Sequence, residues 1–258
     1  MERNILFTLA YCGTGYHGWQ IQDNARTVQQ VFQEALARIV GVCPPLKGCS
    51  RTDAGVHARQ FCISMKIDTR IPNERLVGAM NHFLPPDMAV LSCRTVRDDL
   101  HARYSCLGKE YTYEIWNQPV RNPFLEGRAL HYYGPLDVDK LNEAAQYYVG
   151  KHDFHSFCTL DARDEGDLTR TIQYANVRRR EDGMVIFTVA ADGFLYNMVR
   201  ILTGTLLEVA QGKRTPQEIE HILKAKDRAA AGPTAPACGL YLNRVFYPDD
   251  IELDETKG

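Results

Sequence analysis

The chain has 258 residues, 45% of them hydrophobic and 24% charged, which excludes disordered, collagen-like and coiled-coil classes and fits one large or two small globular domains. Its net charge of −2 argues against a strongly basic nucleic-acid-binding protein. However, residues 249–258 carry five acids and one lysine, so the rest of the chain has a net charge of +2. A basic binding surface is therefore compatible with the composition.

Membrane, exported and metal-dependent classes are disfavoured by the sequence. No apolar run approaches the roughly 20 residues of a membrane-spanning helix, and the N-terminus lacks a signal-peptide pattern. The eight cysteines are scattered without a Cys-x-x-Cys pair, which favours neither zinc binding nor a disulfide scaffold. We therefore expect a cytoplasmic protein with reduced cysteines.

Hydrophobic periodicity in the first 100 residues predicts strand, helix, strand, helix, strand. Alternation over Ile5–Tyr11 indicates a half-buried strand. Thr27 and Gln30 form a capping box that begins an amphipathic helix ending near Val40. The other predicted elements of this half are a strand at Phe61–Ile67, a helix at Pro72–Asn81 and a strand at Met88–Val96.

The second part of the chain repeats this mixture at greater length. Tyr111, Tyr113 and Ile115 share one face of a strand whose polar face, around Glu110 and Glu114, is expected to contact water. Further predicted elements are a helix capped by Asp137 and ended by Gly150, a hairpin of Tyr174–Arg180 with Met184–Ala190, helices at Phe194–Ala210 and Pro216–Lys226, and a strand at Leu240–Tyr247. The simplest organisation is two mixed units, 1–100 and 101–258.

Gly13–Gly18 reads Gly-x-Gly-x-x-Gly directly after a strand, as in dinucleotide-binding sites. Such a site needs a helix that opens at the last glycine and an acidic residue about 20 positions further on. Here the predicted helix begins only near Thr27, and no acidic residue has that spacing. A tight glycine loop is favoured, with a nucleotide-cofactor enzyme as the alternative.

Two other clusters give weaker indications. His152 and His155 lack nearby carboxylate or cysteine partners at metal-binding spacing, so a polar turn is the simpler interpretation. Arg178–Arg180 is most simply a solvated strand end. Together with Arg94, Arg97, Arg103 and Lys109, it is also a candidate phosphate-binding rim.

The segment Gly48–Ala58 is the strongest local feature, because its small residues surround Arg51 and Asp53 in a compact loop. Asp53 either bonds nearby backbone N–H groups in a turn or presents an ionised carboxylate as nucleophile or base. Arg200 interrupts an apolar helix, where a buried charge needs a partner such as Asp53 or another acid. Tyr111 either packs in the sheet or stacks on a flat base.

Ser50–Ala58 resembles the Gly-Arg-Thr-Asp-Ala-Gly-Val-His signature of the TruA-type tRNA pseudouridine synthases, with serine in place of the first glycine. A positive φ at Ser50 would strain the loop. Further matching blocks follow in order over nearly the whole chain: Tyr11–Gln20, His101–Ser105, Lys109–Tyr113, His152–Phe157, Gly193–Arg200, Ala225–Arg228 and Gly239–Leu242.

The resemblance implies an α+β fold of two ferredoxin-like, RRM-like halves with a joined, mainly antiparallel sheet. It further implies isomerisation of uridine to pseudouridine in the anticodon stem-loop of tRNA, at positions 38–40. The implied enzyme is a homodimer that binds tRNA and needs no cofactor or metal. A non-catalytic RNA-binding protein on the same scaffold is the alternative from a different class.

The resemblance also implies roles for residues at matching positions. Asp53 matches the catalytic aspartate, Tyr111 the active-site tyrosine and Arg200 the arginine that pairs with the aspartate. Arg51 matches an arginine that handles the target nucleotide, and His57 is a second candidate for substrate contact. We expect a basic surface beside Asp53.

Overall fold

The computed structural model describes residues 2–160 and 166–251. The chain divides into two compact units: the first runs to Leu107 and resumes at Leu242, and the second is Gly108–Tyr241. The sequence places a single division near residue 100. The return of the chain at Leu242 to the first unit was not predicted, because a non-local strand pairing leaves no periodic signal in the sequence.

Both units contain strands and helices, and the mixed α+β class expected from the sequence is confirmed. The strands are β1 (Glu2–Tyr11), β2 (Lys47–Gly48), β3 (His57–Asp68), β4 (Met88–Thr95), β5 (Gly108–Trp116), β6 (Leu130–His131), β7 (Gly150–Asp153), β8 (Thr169–Arg179), β9 (Met184–Ala191) and β10 (Leu240–Phe246). The α-helices are α1 (Val28–Val40), α2 (Asn73–Phe83), α3 (Val138–Gln146), α4 (Met198–Ala210) and α5 (Glu218–Ala225).

The first unit has a sheet in which β1 pairs antiparallel with both β3 and β4. The part of β10 from Leu242 onward lies beside β3, where Val245 N–H donates to Gln60 Oε1 at 3.1 Å. The apolar face of α1 is buried, and Phe32 meets Phe7 of β1 edge to face, with ring centroids 5.5 Å apart. This packing supports the strand that ends at the glycine loop.

The second unit has the strand order β5-β9-β8-β7, with antiparallel pairing throughout and β6 added parallel to β5. The expectation that one face of β5 contacts water is wrong, because Glu110, Thr112 and Glu114 are all buried. Glu110 accepts a hydrogen bond from the Tyr174 hydroxyl of β8. The alternation of apolar and polar residues along β5 therefore reflects a polar face that is buried, on which the Glu110 carboxylate accepts a hydrogen bond from the Tyr174 hydroxyl.

Capping residues mark the starts of α1 and α3 as predicted, whereas α5 begins at Glu218, two residues after the predicted Pro216. Thr27 Oγ1 accepts from Gln30 N–H at 3.3 Å and Asp137 Oδ1 from Lys140 N–H at 3.1 Å, as expected for N-caps. In contrast, α4 begins at Met198, later than predicted, because Asn197 is left-handed with φ of 60° and cannot extend the helix. The helix α3 ends at Gln146, also short of the prediction, and tighter turns carry the chain to Gly150.

No helix within residues 2–160 and 166–251 is both long and apolar enough to cross a membrane.

Candidate active site

Asp53 lies in the loop that joins β2 to β3, with its side chain half-buried. The Asp53 carbonyl accepts a hydrogen bond from Val56 N–H at 3.2 Å, so the residue also forms a turn. Arg51, two positions earlier, is exposed. The loop thus supplies one carboxylate and one exposed guanidinium close together in sequence, and the basic surface expected beside Asp53 stays a prediction.

The glycine loop, residues 13–19, braces the backbone on both sides of Asp53. Trp19 N–H donates to the Thr52 carbonyl at 3.0 Å, and Gly55 N–H donates to the Tyr16 carbonyl at 3.2 Å. In addition, the hydroxyls of Tyr11 and Thr52 are 2.9 Å apart. Main-chain hydrogen bonds therefore hold the residue before Asp53 and a residue after it.

Close backbone approach explains the glycines of this segment. A Cβ on Gly13 would overlap the Val56 carbonyl, and one on Gly18 would overlap the Thr52 carbonyl. Gly18 also has φ of +82°, which a residue with a side chain rarely adopts. The next α-helix begins only at Val28. Its Val28 and Gln29 N–H groups donate to the Gly18 and Trp19 carbonyls at 3.1 and 3.0 Å, so these donors are used within the tight glycine loop and are not available to a pyrophosphate.

His57 connects the same two loops. It is 1% exposed, and its Nδ1 accepts the N–H of Gly13 at 3.0 Å. Because this bond uses one ring nitrogen inside the protein, it favours a positioning role for His57. The predicted contact between His57 and substrate stays a prediction.

Serine is compatible with the loop at position 50. Within residues 2–160 and 166–251, the non-glycine residues with positive φ are Asn197 and Lys226. Ser50 therefore avoids the left-handed conformation that would favour glycine, and the departure from the family signature causes no backbone strain.

Tyr111 and Tyr113 lie on one face of β5, yet their surroundings differ. The Tyr113 hydroxyl donates to the Pro236 carbonyl at 2.6 Å, and burial raises the pKa of this phenol well above its usual value. Tyr111 is 6% exposed, and its ring meets Phe194 edge to face at 5.0 Å. Tyr113 is thus a structural residue, which the sequence alone did not distinguish from Tyr111.

Arg200 lies in the first turn of α4 and is half-buried. Its Nε donates to the Ala235 carbonyl at 2.7 Å, and a terminal nitrogen donates to Asn197 Oδ1 at 2.9 Å. Ala235 N–H in turn donates to the Arg200 carbonyl at 3.1 Å. These contacts fix the guanidinium within the second unit. The expected pairing with Asp53, a residue of the other unit, stays a prediction.

Several supporting residues were missed by sequence reasoning. Thr52, Trp19, Phe194 and Ala235 act through contacts between distant segments, which leave no periodic pattern, whereas Asn197 contacts Arg200 within one turn. The one local signal was Asn197, since asparagine tolerates the left-handed conformation that precedes α4.

The remaining clusters have structural explanations. His152 contacts the Val149 carbonyl at 3.0 Å through Nε2, and Asp153 Oδ2 lies 2.8 Å from Lys226 Nζ. Among residues 2–160 and 166–251, no group of three His, Cys, Asp or Glu residues is arranged to hold a metal. The His152 contact and the Asp153 ion pair favour a polar turn at the histidine pair.

The candidate phosphate rim is partly occupied by protein contacts. Arg179 donates to Asn117 and to the Leu136 carbonyl at 3.0 and 2.9 Å. Arg97 bridges to Asp250 at 2.8 Å. Arg103 is exposed, so it is better placed to meet an external phosphate.

Comparison with known proteins identifies the family of the chain. The family model described as "tRNA pseudouridine synthase" matches residues 8–105 and 144–248, which include Asp53 and Arg200. The solved structure titled "Crystal Structure of a Cbf5-Nop10-Gar1 Complex" is similar at 13% identity over 93% of this chain and 59% of that chain, with a TM-score of only 0.35.

Curated relatives match over nearly their full length. A tRNA pseudouridine synthase A of Ruminiclostridium cellulolyticum is 42% identical, covering 95% of this chain and 100% of the relative. A tRNA pseudouridine synthase A 2 of Clostridium tetani is 40% identical, covering 96% and 100%. One from Staphylococcus saprophyticus is 40% identical, covering 97% and 93%. The chain therefore belongs to the tRNA pseudouridine synthase family, a family of isomerases.

Proposed function

We propose that this chain converts uridine to pseudouridine in the anticodon stem-loop of tRNA, at positions 38–40, with Asp53 as the catalytic residue. The observation that carries the proposal is the braced loop: Thr52 and Gly55 are held by Trp19 and Tyr16 at 3.0 and 3.2 Å on either side of Asp53. A carboxylate held on a fixed backbone can be aimed at one atom of a substrate.

The reaction breaks the N1–C1′ bond, turns the uracil and joins C5 to C1′; the proton lost from C5 is balanced by one gained at N1. A carboxylate suits attack at C1′, attack at C6 of the uracil, or proton abstraction that begins glycal formation. In this proposal Tyr111 stacks on the uracil and assists removal of the C5 proton. Arg200 keeps the Asp53 carboxylate ionised and oriented.

The target base must first leave its stack, at a cost of a few kcal/mol. Arg51 is exposed within the loop of Asp53, and we assign it to the space that the base vacates. His57 contributes by holding the Gly13 backbone, as its 3.0 Å bond indicates.

We further propose that the first unit supplies Asp53 and that the second unit, Gly108–Tyr241, supplies Tyr111 and Arg200. The protein is proposed to act in the cytoplasm as a homodimer, without a cofactor or metal. Sedimentation of the purified chain tests the dimer, and activity in the presence of chelator tests the absence of a metal requirement.

The decisive experiment measures release of tritium from tRNA that carries [5-³H]uridine. Asp53→Asn is expected to lower turnover by roughly 10³-fold or more, as removal of a nucleophile or base does in other enzymes. Asp23→Asn is the control, because Asp23 is an exposed acid of the same unit. Uridine-to-cytidine changes at positions 38–40 of the tRNA should abolish release.

Full activity of the Asp53→Asn variant would contradict the role of Asp53. Failure of the wild-type chain to isomerise any tRNA would contradict the proposed function and favour a non-catalytic RNA-binding protein.

A further inference from the structure

A second aromatic and basic cluster lies in the first unit, outside the loop of Asp53. Tyr104 is 78% exposed, although a large aromatic side chain gains stability from burial. Arg103 and Lys47 are also exposed. Packing within the first unit does not explain why these three side chains are exposed together.

The backbone of the turn that presents Tyr104 is held in one conformation. His101 Nδ1 accepts the N–H groups of Arg103 and Tyr104 at 3.1 and 3.3 Å. Ser105 N–H donates a hydrogen bond to the His101 carbonyl at 2.9 Å. The turn is also attached to β3, because Ala102 N–H donates to Ser64 Oγ at 2.9 Å. Tyr104 is thus exposed on an ordered turn.

Aromatic and cationic groups meet around the Tyr104 ring. The His101 ring centroid lies 4.4 Å from it with a 36° tilt, and the Arg103 guanidinium carbon lies 5.8 Å from its centroid. Partial burial and the charges of Lys47 and Arg103 lower the pKa of His101. A neutral imidazole can support the tyrosine without adding to the local positive charge.

We propose that Tyr104 is a stacking site for an unpaired base of the RNA substrate, with Arg103 and Lys47 contacting the neighbouring phosphates. This inference rests on the proposed function, because that function supplies the RNA. Exposed aromatic rings bordered by basic side chains bind single-stranded RNA by stacking and by charge, whichever base is present. The contact is therefore expected to add affinity with little base preference.

Ser64, which anchors the turn, pairs with Lys47 of β2, six residues before Asp53. Ser64 also follows His57 by seven residues along β3, which is roughly 23 Å along the strand at about 3.3 Å per residue. The Tyr104 cluster thus lies next to the start of the loop of Asp53 and away from its His57 end. A stacking contact that takes no part in the chemical step should change the affinity for RNA and the KM for tRNA more than kcat.

The test is fluorescence anisotropy of a labelled anticodon stem-loop RNA with the full chain. Loss of one stacked base typically costs about 10- to 100-fold in affinity, which is the effect expected for Tyr104→Ala. Tyr104→Phe keeps the ring and should restore most of the affinity. Tyr133→Ala is the matched control, because Tyr133 is 83% exposed and has His131 as its neighbour at 6.5 Å.

Two further measurements sharpen the result. Replacing the unpaired RNA nucleotides by abasic sites, one at a time, should reveal one position at which Tyr104→Ala no longer weakens binding. Lys47→Ala or Arg103→Ala should reduce the slope of log affinity against log salt by about 0.7 to 0.9 for each lost phosphate contact.

Equal affinity of Tyr104→Ala and wild type overturns the proposal, as does an equal loss in Tyr133→Ala. Fluorescence anisotropy reports the binding of the RNA, whether or not its uridine is converted. A wild-type chain that binds RNA through Tyr104 but makes no pseudouridine would therefore contradict the proposed function and leave the stacking site standing.

Discussion

The two regions that carry the predicted site residues are held by different means. Around Asp53 the contacts are mainly backbone to backbone, from Trp19 to Thr52 and from Gly55 to Tyr16. Around Arg200 one contact joins two backbones, but its side chain makes the others, since its guanidinium donates to the Ala235 carbonyl and to Asn197.

This difference determines which substitutions each region tolerates. Around Asp53 two backbone segments lie so close together that a side chain would not fit between them, so glycine is required. Where a guanidinium reaches a carbonyl, the constraint is a planar group with donors in fixed directions, which lysine lacks. A mutation at the first region should therefore move the loop, whereas one at the second should remove contacts and leave the backbone in place.

Among the substitutions that compare these two regions, the largest combined loss of stability and turnover is expected for Gly18→Ala. Its φ of +82° costs about 1–2 kcal/mol for a residue with a Cβ, and the overlap with the Thr52 carbonyl adds to this cost. Because the overlap displaces the loop, turnover should fall by roughly 10²-fold, as expected for a shift of about 1 Å. Urea unfolding measures the loss of stability. Turnover of tRNA is compared under conditions in which wild type and Gly18→Ala are both folded.

Gly41→Ala is the matched control for this prediction. Gly41 has a similar φ of +88°, but nothing lies within 4 Å of an added Cβ. It should therefore show the conformational cost alone and full activity in the folded state. Equal losses of stability and activity in the two variants would mean that the close approach at Gly18 does not position Asp53.

The next effect is expected for Arg200→Lys, which keeps the charge but loses the two directed hydrogen bonds. Turnover should fall by about 10²-fold if the guanidinium orients the reacting carboxylate. Stability should change by only about 1 kcal/mol. Steady-state kinetics together with thermal unfolding separate these outcomes.

Arg228→Lys tests the alternative explanation. Arg228 is also half-buried, and it holds the same segment through the Gly232 carbonyl and Thr234 at 2.9 and 3.2 Å. We expect Arg228→Lys to lose about as much stability as Arg200→Lys but to keep a normal kcat. If both variants lose kcat equally, the position of this segment matters and the Arg200 guanidinium has no separate role.

The smallest effect is expected for Asp153→Asn in the second unit. A hydrogen bond from Lys226 at 2.8 Å lowers the pKa of Asp153 below the ordinary 3.8. A carboxyl with a lowered pKa stabilises the folded state above its ordinary pKa, and this contribution is lost as the pH falls through the lowered value. Because both side chains are partly exposed, the variant should lose less than about 1 kcal/mol at pH 7.

Unfolding measured from pH 2 to 7 checks this prediction. The difference between wild type and Asp153→Asn should shrink as the pH falls below about 3.8. A difference that stays constant over this range would show that the ion pair is not its cause.

The sequence by itself predicted most elements and the loop of Asp53. Period-two and helical patterns depend on each segment alone, and caps such as Thr27 and Asp137 act within one turn, so local residues determine them. The block from Ser50 to Ala58 also indicated the family without any structure.

Only the tertiary structure showed that the glycine loop braces Asp53, that the polar face of β5 is buried and that β10 returns beside β3. Each of these depends on contacts between residues far apart in the chain. A hydrophobic pattern shows whether a position prefers burial but not which segment covers it. The same glycines are therefore compatible with a free or a bracing loop, and the same glutamates with an exposed or a buried face, until the packed segment is known.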